Sequence, residues 1–337
     1  MSSEGERLLV ADAHNDLLML VEHFSGDPGY FGRHWLPQLR AGGVGVQVLP
    51  VFVDDWAVPE LALRQTLRLI EAARRTIEGN AEAVALCLGP GDVEAALASG
   101  RIAAVLALEG CPAIGPDVEL LSVFARLGVR MASLTHFGRN SLADGSAEDG
   151  AGGRLTRAGV AAVKRMHELG IVIDVSHLSL AGTRHVLEIA AGPVVATHSS
   201  CRALLEHHRN LHDSELEAIA RSGGVVGINL YPPYLAEEAG IEHVVDHIAH
   251  AVKVAGLEHV GLGPDFTKEL ADTLYAGDHV VETGNLAWST PGLEGPADLP
   301  KIAEAMERRG FSAGEIAAVM GGNWRRLLDE AIGAPCS

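Results

Sequence analysis

The stretch IVIDVSHLSLAGTRHVLEIAAGPVVATHSS, residues 171–200, decides how this chain folds. Ile171 to Ser176 is a β-branched run that ends on His177, and Pro193 to Thr197 is a second run that ends on His198. Between them, Leu178 to Ala191 carries Leu180, Val186, Leu187 and Ala190 at helical spacing, and Gly192-Pro193 closes the helix. Strand, helix and strand with a short return make a βαβ unit, so the two strands are parallel neighbours. Their carboxyl ends share one edge of the sheet, which brings the two histidines together. Active sites of parallel α/β folds are built at that edge. Two histidines at matching strand ends favour metal ligation over a pair of hydrogen-bonded wall residues.

The pattern continues in both directions. Apolar strands are expected at Leu8–Ala13, Val44–Val53, Ile102–Leu108 and Met131–Thr135 before the central pair, and at Val225–Leu230 and Val260–Leu262 after it. A loop carrying Phe24, Tyr30, Phe31 and Trp35 is expected after the first strand. A long amphipathic helix is expected from Pro59 to Gly79, and a last one from Ser312 to about Ala331. Eight strands alternating with helices predict a single (β/α)8 barrel domain spanning residues 1–337, with its site at the carboxyl ends of the strands. A doubly wound sheet is the alternative, but no G-x-G-x-x-G follows an early strand.

Composition agrees. Hydrophobic residues make up 47% of the 337 residues and aromatics only 4%, so the core is aliphatic, as suits a parallel sheet wrapped in helices. A net charge of -18 argues against a nucleic-acid surface. Cys87, Cys111, Cys201 and Cys336 show no C-x-x-C pairing and imply no disulfide framework. No apolar leader precedes the first strand, and the expectation is a cytoplasmic protein without a membrane anchor.

Function turns on the polar residues at the strand ends: His14 and Asp16, Glu109, His136, His177, His198 and Asp265. Each follows an apolar run, where an ionisable group is costly unless something compensates it. A barrel converges all its strand ends on one mouth. Imidazoles and carboxylates gathered there are the ligands a pair of divalent metals needs, because imidazole suits zinc and a carboxylate has two oxygens with which to bridge. Another histidine set, His243, Asp246, His247 and His250, has helical spacing, but Ile241, Val244, Val245 and Ile248 claim the buried face. The histidine face is therefore expected in solvent. Cys111 reads as a buried small thiol, and the absence of G-x-S-x-G leaves a serine hydrolase unsupported.

Asp12-Ala13-His14-Asn15-Asp16, Leu134-Thr135-His136, Ile173-Asp174-Val175-Ser176-His177, Thr197-His198-Ser199-Ser200 and His208-Arg209-Asn210 resemble the motifs of the membrane (renal-type) dipeptidases, binuclear zinc peptidases of the amidohydrolase superfamily. Gly321-Gly322-Asn323-Trp324 resembles that family's closing stretch. The resemblance implies His14, Asp16 and Glu109 on one Zn2+, and Glu109, His177 and His198 on the other, with Glu109 and a hydroxide bridging. It also implies that His136 and Arg209 contact substrate, that Asp265 handles protons, and that Tyr234 faces the substrate. The chain departs from the family in two places: Gly263-Pro264-Asp265-Phe266 runs into Thr267-Lys268, where the family continues with Asp-Gly, and Cys111 replaces the small residue expected after Glu109-Gly110.

The expected reaction is hydrolysis of a free dipeptide, with the zinc pair ionising water, His136 stabilising the oxyanion and Asp265 passing the proton to the departing amine. Loops 137–153 and 267–297 are expected over the mouth. Alternatives are a hydrolase of another small amide, lactam or N-acyl amino acid, a tailoring peptidase of a biosynthetic pathway, and a catalytically inactive binding protein. The expected partner is a dipeptide or similar small molecule, and the sequence leaves a homodimer open.

Overall fold

The computed structural model describes residues 8–54, 57–274 and 288–336. Seven strands form one sheet: β1 (Val10–Asp12), β2 (Val44–Phe52), β3 (Val84–Leu86), β4 (Ile102–Glu109), β5 (Val129–Ser133), β6 (Val172–Asp174) and β7 (Val194–Val195). Their order is β1-β2-β4-β5-β6-β7, with β3 attached to β4, and β8 (Val226–Asn229) pairs with β9 (Val260–Gly263) in a second sheet. All these pairings are parallel. The two sheets touch at both margins. Gly227 N donates to Ala196 O at 2.8 Å beside an Ala196–Val226 bridge, and Ala13 N donates to Leu262 O at 3.3 Å. The result is an α/β fold on a curled parallel sheet.

Alternation along the strands sorts the core into two faces. Val46 and Val48 of β2, and Ala103, Val105 and Ala107 of β4, belong to one buried cluster that closes on Trp324 and Leu327. The intervening Leu49, Val51, Leu106 and Leu108 belong to the other cluster, under helices that contribute Leu69, Ile70, Leu121 and Phe124. Small side chains on the first face let the strands curl tightly. Glu109 continues that face at the carboxyl end of β4, which is why a carboxylate ends up over the strand ends.

Four expectations need correction. The segment after β1 is two helices, Leu17–His23 and Tyr30–Ala41, in place of a loop. Gly32 and Pro37 mask the period there, yet Phe31, Trp35 and Leu39 fall at helical spacing and are buried. β3 was not expected; it is short, and only Val84 of it is buried. The helix expected from Pro59 begins at Ala62. The terminal helix is not continuous: Ala313–Ala317 and Asn323–Ala331 flank a π-helical turn at Ala318–Gly322. A side chain at Gly321 would bring its Cβ to 2.6 Å from Leu9 O, so the turn sits against the chain entering β1 only because it is glycine. No helix among the described residues is long and apolar enough to cross a membrane, and all four cysteines are free.

Candidate active site

The central βαβ unit forms as its sequence dictates. The helix Leu180–Ile189 is capped by Ser179, whose side chain accepts from Gly182 N, and returns the chain to a parallel β7. Ile173 pairs with Val194 and Asp174 with Val195, so His177 and His198 each follow their paired strand by the same number of residues. Their Nε2 atoms lie 2.7 Å apart. His177 takes a left-handed backbone, φ 69°, which aims it at its partner at some conformational cost.

Glu109 reaches both neighbours of this pair. Its Oε1 lies 3.0 Å from His177 Nε2 and 3.7 Å from His198 Nε2, while Oε2 lies 3.3 Å from His14 Nε2. Asp16 Oδ1 is 3.8 Å from the same His14 nitrogen. Three overlapping groups can each hold an ion: His14, Glu109 and His198; Glu109, His136 and His177; and His14, Asp16 and Asp265. Within each, the ligand atoms lie within 4.8 Å of one another. His14 Nε2, Asp16 Oδ1 and Glu109 Oε2 are buried without a hydrogen-bond partner, a state that is costly unless a cation satisfies them.

Behind the ligand atoms lies a layer of fixed hydrogen bonds. Thr197 Oγ1 is 2.5 Å from Asp174 Oδ2 and 2.8 Å from His198 Nδ1. A carboxylate only accepts, so the hydroxyl proton goes to Asp174 and the oxygen accepts from His198 Nδ1–H. That tautomer leaves the Nε2 lone pair facing Glu109 and His177, the orientation a metal-binding histidine needs. Asp174 Oδ1 also accepts from Ser176 N and Thr197 N. Asp12 plays the same part for the first strand, accepting from His14 N and Asn15 Nδ2. Burial pushes the Asp12 carboxyl up to about 7 against those bonds. Sequence reasoning named the histidines but missed this layer; its trace is the acid two or three residues before each of His14 and His177.

Electrostatics favour a cation here. Burial, together with Arg209 and neighbouring histidines, holds His177 and His198 well below the usual histidine range. A proton between their facing nitrogens is thus disfavoured, and a bound cation relieves the contact. Burial opposes charge on His14 too, but Glu109, Asp16 and Asp265 outweigh it and lift its pKa to about 10. Burial and the nearby Glu109 carboxylate push Asp16 well above the carboxylate range. Glu109, although buried, is drawn below that range by His14 and His177. One carboxylate held charged and another resisting charge mark a site built for more positive charge than the protein supplies.

The remaining predicted residues line or adjoin one cavity of about 510 Å³. His136 stacks near His177, ring centroids 4.3 Å apart, and beside Phe52 at 4.7 Å. Asp265, at φ 57°, is positioned by its N–H to His14 O and by Asn229 Nδ2 donating to its Oδ2 at 2.9 Å. Arg209 is 3% exposed, its Nη2 donates to His198 O at 3.1 Å, and its guanidinium carbon lies 6.0 Å from the Phe137 ring centre and 5.4 Å from that of Tyr234. It does not pair with the nearby Asp213 or Glu215: Asp213 bonds His250 and Glu215 bonds Arg184. Cys111 is buried with its thiol pushed up to about 12 by that burial, which fits a packing role.

One further expectation changes. The histidine face of the helix Ile241–Ala255 is not wholly in solvent: His247 is 1% exposed, accepting from Cys201 N at Nδ1 with Nε2 3.1 Å from Leu235 O. The helix packs on two sides, so its buried arc is wider than one apolar stripe. Loop 137–153 lies at the mouth as a fixed structure. Arg139 clasps Asp144, Asn140 Nδ2 donates to Leu134 O, and Asp149 accepts from Leu180 N. Of the second loop, Lys268–Leu274 is helical and residues 275–287 lie outside the described residues.

The sequence model of the membrane dipeptidase family, peptidase family M19, matches residues 5–334. The chain belongs to this family. It is 31% identical to Dipeptidase aclJ of Aspergillus oryzae, over 96% of this chain and 78% of that protein. It is 34% identical to Dipeptidase verJ of Clonostachys rogersoniana, over 80% of this chain and 65% of that protein. The crystal structure of dipeptidase AC, a metallo peptidase of family M19, superposes with a TM-score of 0.86 at 26% identity, covering 98% of this chain and all of that one. The protein is therefore a metal-dependent dipeptidase, a hydrolase of peptide bonds.

Proposed function

We propose that this dipeptidase holds two zinc ions, His14, Asp16 and Glu109 on one and Glu109, His177 and His198 on the other, in a single closed (β/α)8 hydrolase domain. The paired margins, β7 to β8 and β9 to β1, support the closure. What supports the two-ion reading is Glu109, whose two oxygens face different histidines. When bound, such a pair supplies Lewis acidity and a water ionised at neutral pH.

The chain's own residues do the rest. His136, on the cavity wall beside His177, donates to the carbonyl oxygen as it gains charge. Asp265, oriented by Asn229, takes a proton from the attacking water and delivers it to the departing amine. Arg209 receives the substrate's terminal carboxylate. Its guanidinium is buried among rings with no carboxylate of the described residues paired to it, and its Nε has no partner. A fork of that kind matches a carboxylate bidentately. Tyr234, 7% exposed, packs against the guanidinium and faces the same end of the substrate. A carboxylate clamp at fixed distance from the ligand cluster admits a dipeptide and leaves no room beyond it.

That single observation, a buried guanidinium without a counter-charge, separates a dipeptidase from a hydrolase of lactams or N-acyl amides. The deciding comparison is a dipeptide against its C-terminal amide on the zinc-loaded protein. The amide is expected to lose kcat/KM by about 2–5 kcal/mol, as is Arg209→Ala with the free dipeptide. Equal hydrolysis of dipeptide and amide moves the assignment to the broader amide hydrolases.

A further inference from the structure

We infer that the segment after β9 builds an apolar pocket for the side chain of the substrate's amino-terminal residue, so that dipeptides with a large apolar residue there are preferred; this rests on the dipeptidase reading above. The cavity, at about 510 Å³, is larger than a dipeptide backbone fills and lies in the range of about 300–1,000 Å³ that encloses drug-sized ligands. Its charged groups are not evenly spread. The ligand cluster and Asp265 form the floor, and Arg209 stands with Phe137 and Tyr234, which follow β5 and β8. Asp54, after β2, is the other carboxylate on the lining.

On the side between β9 and β1, beyond Asp16 and Asp265 on the floor, the lining is Thr267 and four largely apolar side chains. Met19 comes from the helix after β1, Leu270 and Ala271 from the helix Lys268–Leu274, and Trp288 lies further along the chain. The charges of that last helix are engaged elsewhere: Lys268 pairs with Asp272 at 2.7 Å, and Glu269 is held by Tyr30 and His34 at 3.2 and 2.5 Å. Leu270 and Ala271 are thereby the members of the helix that meet the cavity, at 6% and 7% exposure. Thr267 Oγ1 donates to Trp288 O at 2.9 Å and fixes the far edge of the wall. With the terminal carboxylate at Arg209 and the scissile carbonyl over the floor, the amino-terminal residue extends toward this wall. It is also one of the two places, here at Thr267-Lys268, where the sequence departs from the family pattern.

The test is a panel of X-Ala dipeptides, X being Gly, Leu, Phe, Lys or Glu, on the zinc-loaded full-length protein. Phe-Ala and Leu-Ala are expected to exceed Gly-Ala in kcat/KM by roughly 10–100-fold, the discrimination an apolar pocket gives for added carbons, with Lys-Ala and Glu-Ala falling below Phe-Ala. Ala271→Phe, which fills the pocket, is expected to collapse the Phe-Ala to Gly-Ala ratio. Leu270→Ala, which removes contact without adding bulk, is expected to lower it in the same direction. Hydrolysis of all five at similar rates, or an unchanged ratio in both variants, overturns this wall and leaves the dipeptidase reading standing. No hydrolysis of any of them overturns both.

Discussion

The two ends of the sheet solve opposite problems. At the amino ends of the strands the polar groups around Trp324 are satisfied by hydrogen bonds within the protein. Asn323 Nδ2 donates to Leu257 O and Val260 O, both at 2.7 Å, and the fully buried Trp324 donates its indole N–H to Leu262 O at 3.1 Å. Gly261 and Gly321 give up side chains so that backbone and ring can close that end. At the carboxyl ends, His14, Asp16, Glu109 and Arg209 all carry buried polar atoms without partners, and His177 and Asp265 are held at positive φ. One end spends its polar groups on itself and the other keeps them for a ligand. The difference teaches where stability ends and chemistry begins: the same fold is tightened at one face so that strain and unmet charge can be kept at the other.

Removing the shared carboxylate should break the contrast most completely. Glu109→Ala takes away the atom pair that faces both histidine groups, so two zinc equivalents per chain are expected to be lost together, and with them activity. Metal analysis of the purified variant checks it, and retention of one tightly held ion would mean that Glu109 does not bridge. Next in size, Asp265→Asn keeps the shape and the bond geometry to Asn229 but not the proton affinity. Metal content should stay, while kcat falls by roughly 100-fold or more, the usual worth of a positioned acid-base group.

At the closed end the effect should appear in stability alone. Asn323→Ala leaves the buried Val260 carbonyl and the half-buried Leu257 carbonyl without their donor, which costs about 1–3 kcal/mol. Denaturant unfolding should show that loss, while kcat per zinc-loaded chain stays at the wild-type value. A fall in kcat would show that the two ends are coupled through β9.

The closed end was hardly legible in the sequence and the open end largely was, for physical reasons. His177 and His198 stood at the ends of apolar runs, where a histidine needs a reason to be, and the βαβ spacing alone placed them together. His14, Asp16, Glu109, His136 and Asp265 gave the same signal, and all of them reached one cavity or its rim. Hydrogen-bonded support gave no such signal: Thr197 and Asp174 read as ordinary strand residues until the β6–β7 register set them beside each other. The π turn at Ala318–Gly322 follows from a tertiary contact with Leu9 that no local pattern carries. His247 was misread because a helix flanked on two sides buries more than its apolar stripe, and the helix Tyr30–Ala41 because glycine and proline interrupt its period.

The smallest predicted effect concerns how the two ends respond to acid. His207, on the cavity wall next to Arg209, is pushed down to about 4 by burial and by the charges of His208, Arg209 and Arg202. Its Nδ1 accepts from Arg209 N at 3.1 Å, so the neutral ring helps seat the arginine and protonation would break that bond. In the unfolded chain the same ring takes up its proton near 6.5. Between those values the unfolded state binds more protons, so stability rises with pH across the window. The contribution is present in full above about 6.5 and is lost as pH falls toward 4. His207 is only about half buried, so solvent screening keeps the effect modest. His167, at the closed end, is also held down by burial, but no cation adds to it. Unfolding curves between pH 4 and 7 for wild type and His207→Gln isolate this group, because the metal ligands titrate alike in both. The variant is expected to lose less stability on acidification, with a smaller difference for His167→Gln. Identical slopes for wild type and His207→Gln would place the proton uptake elsewhere and remove His207 from the support of Arg209.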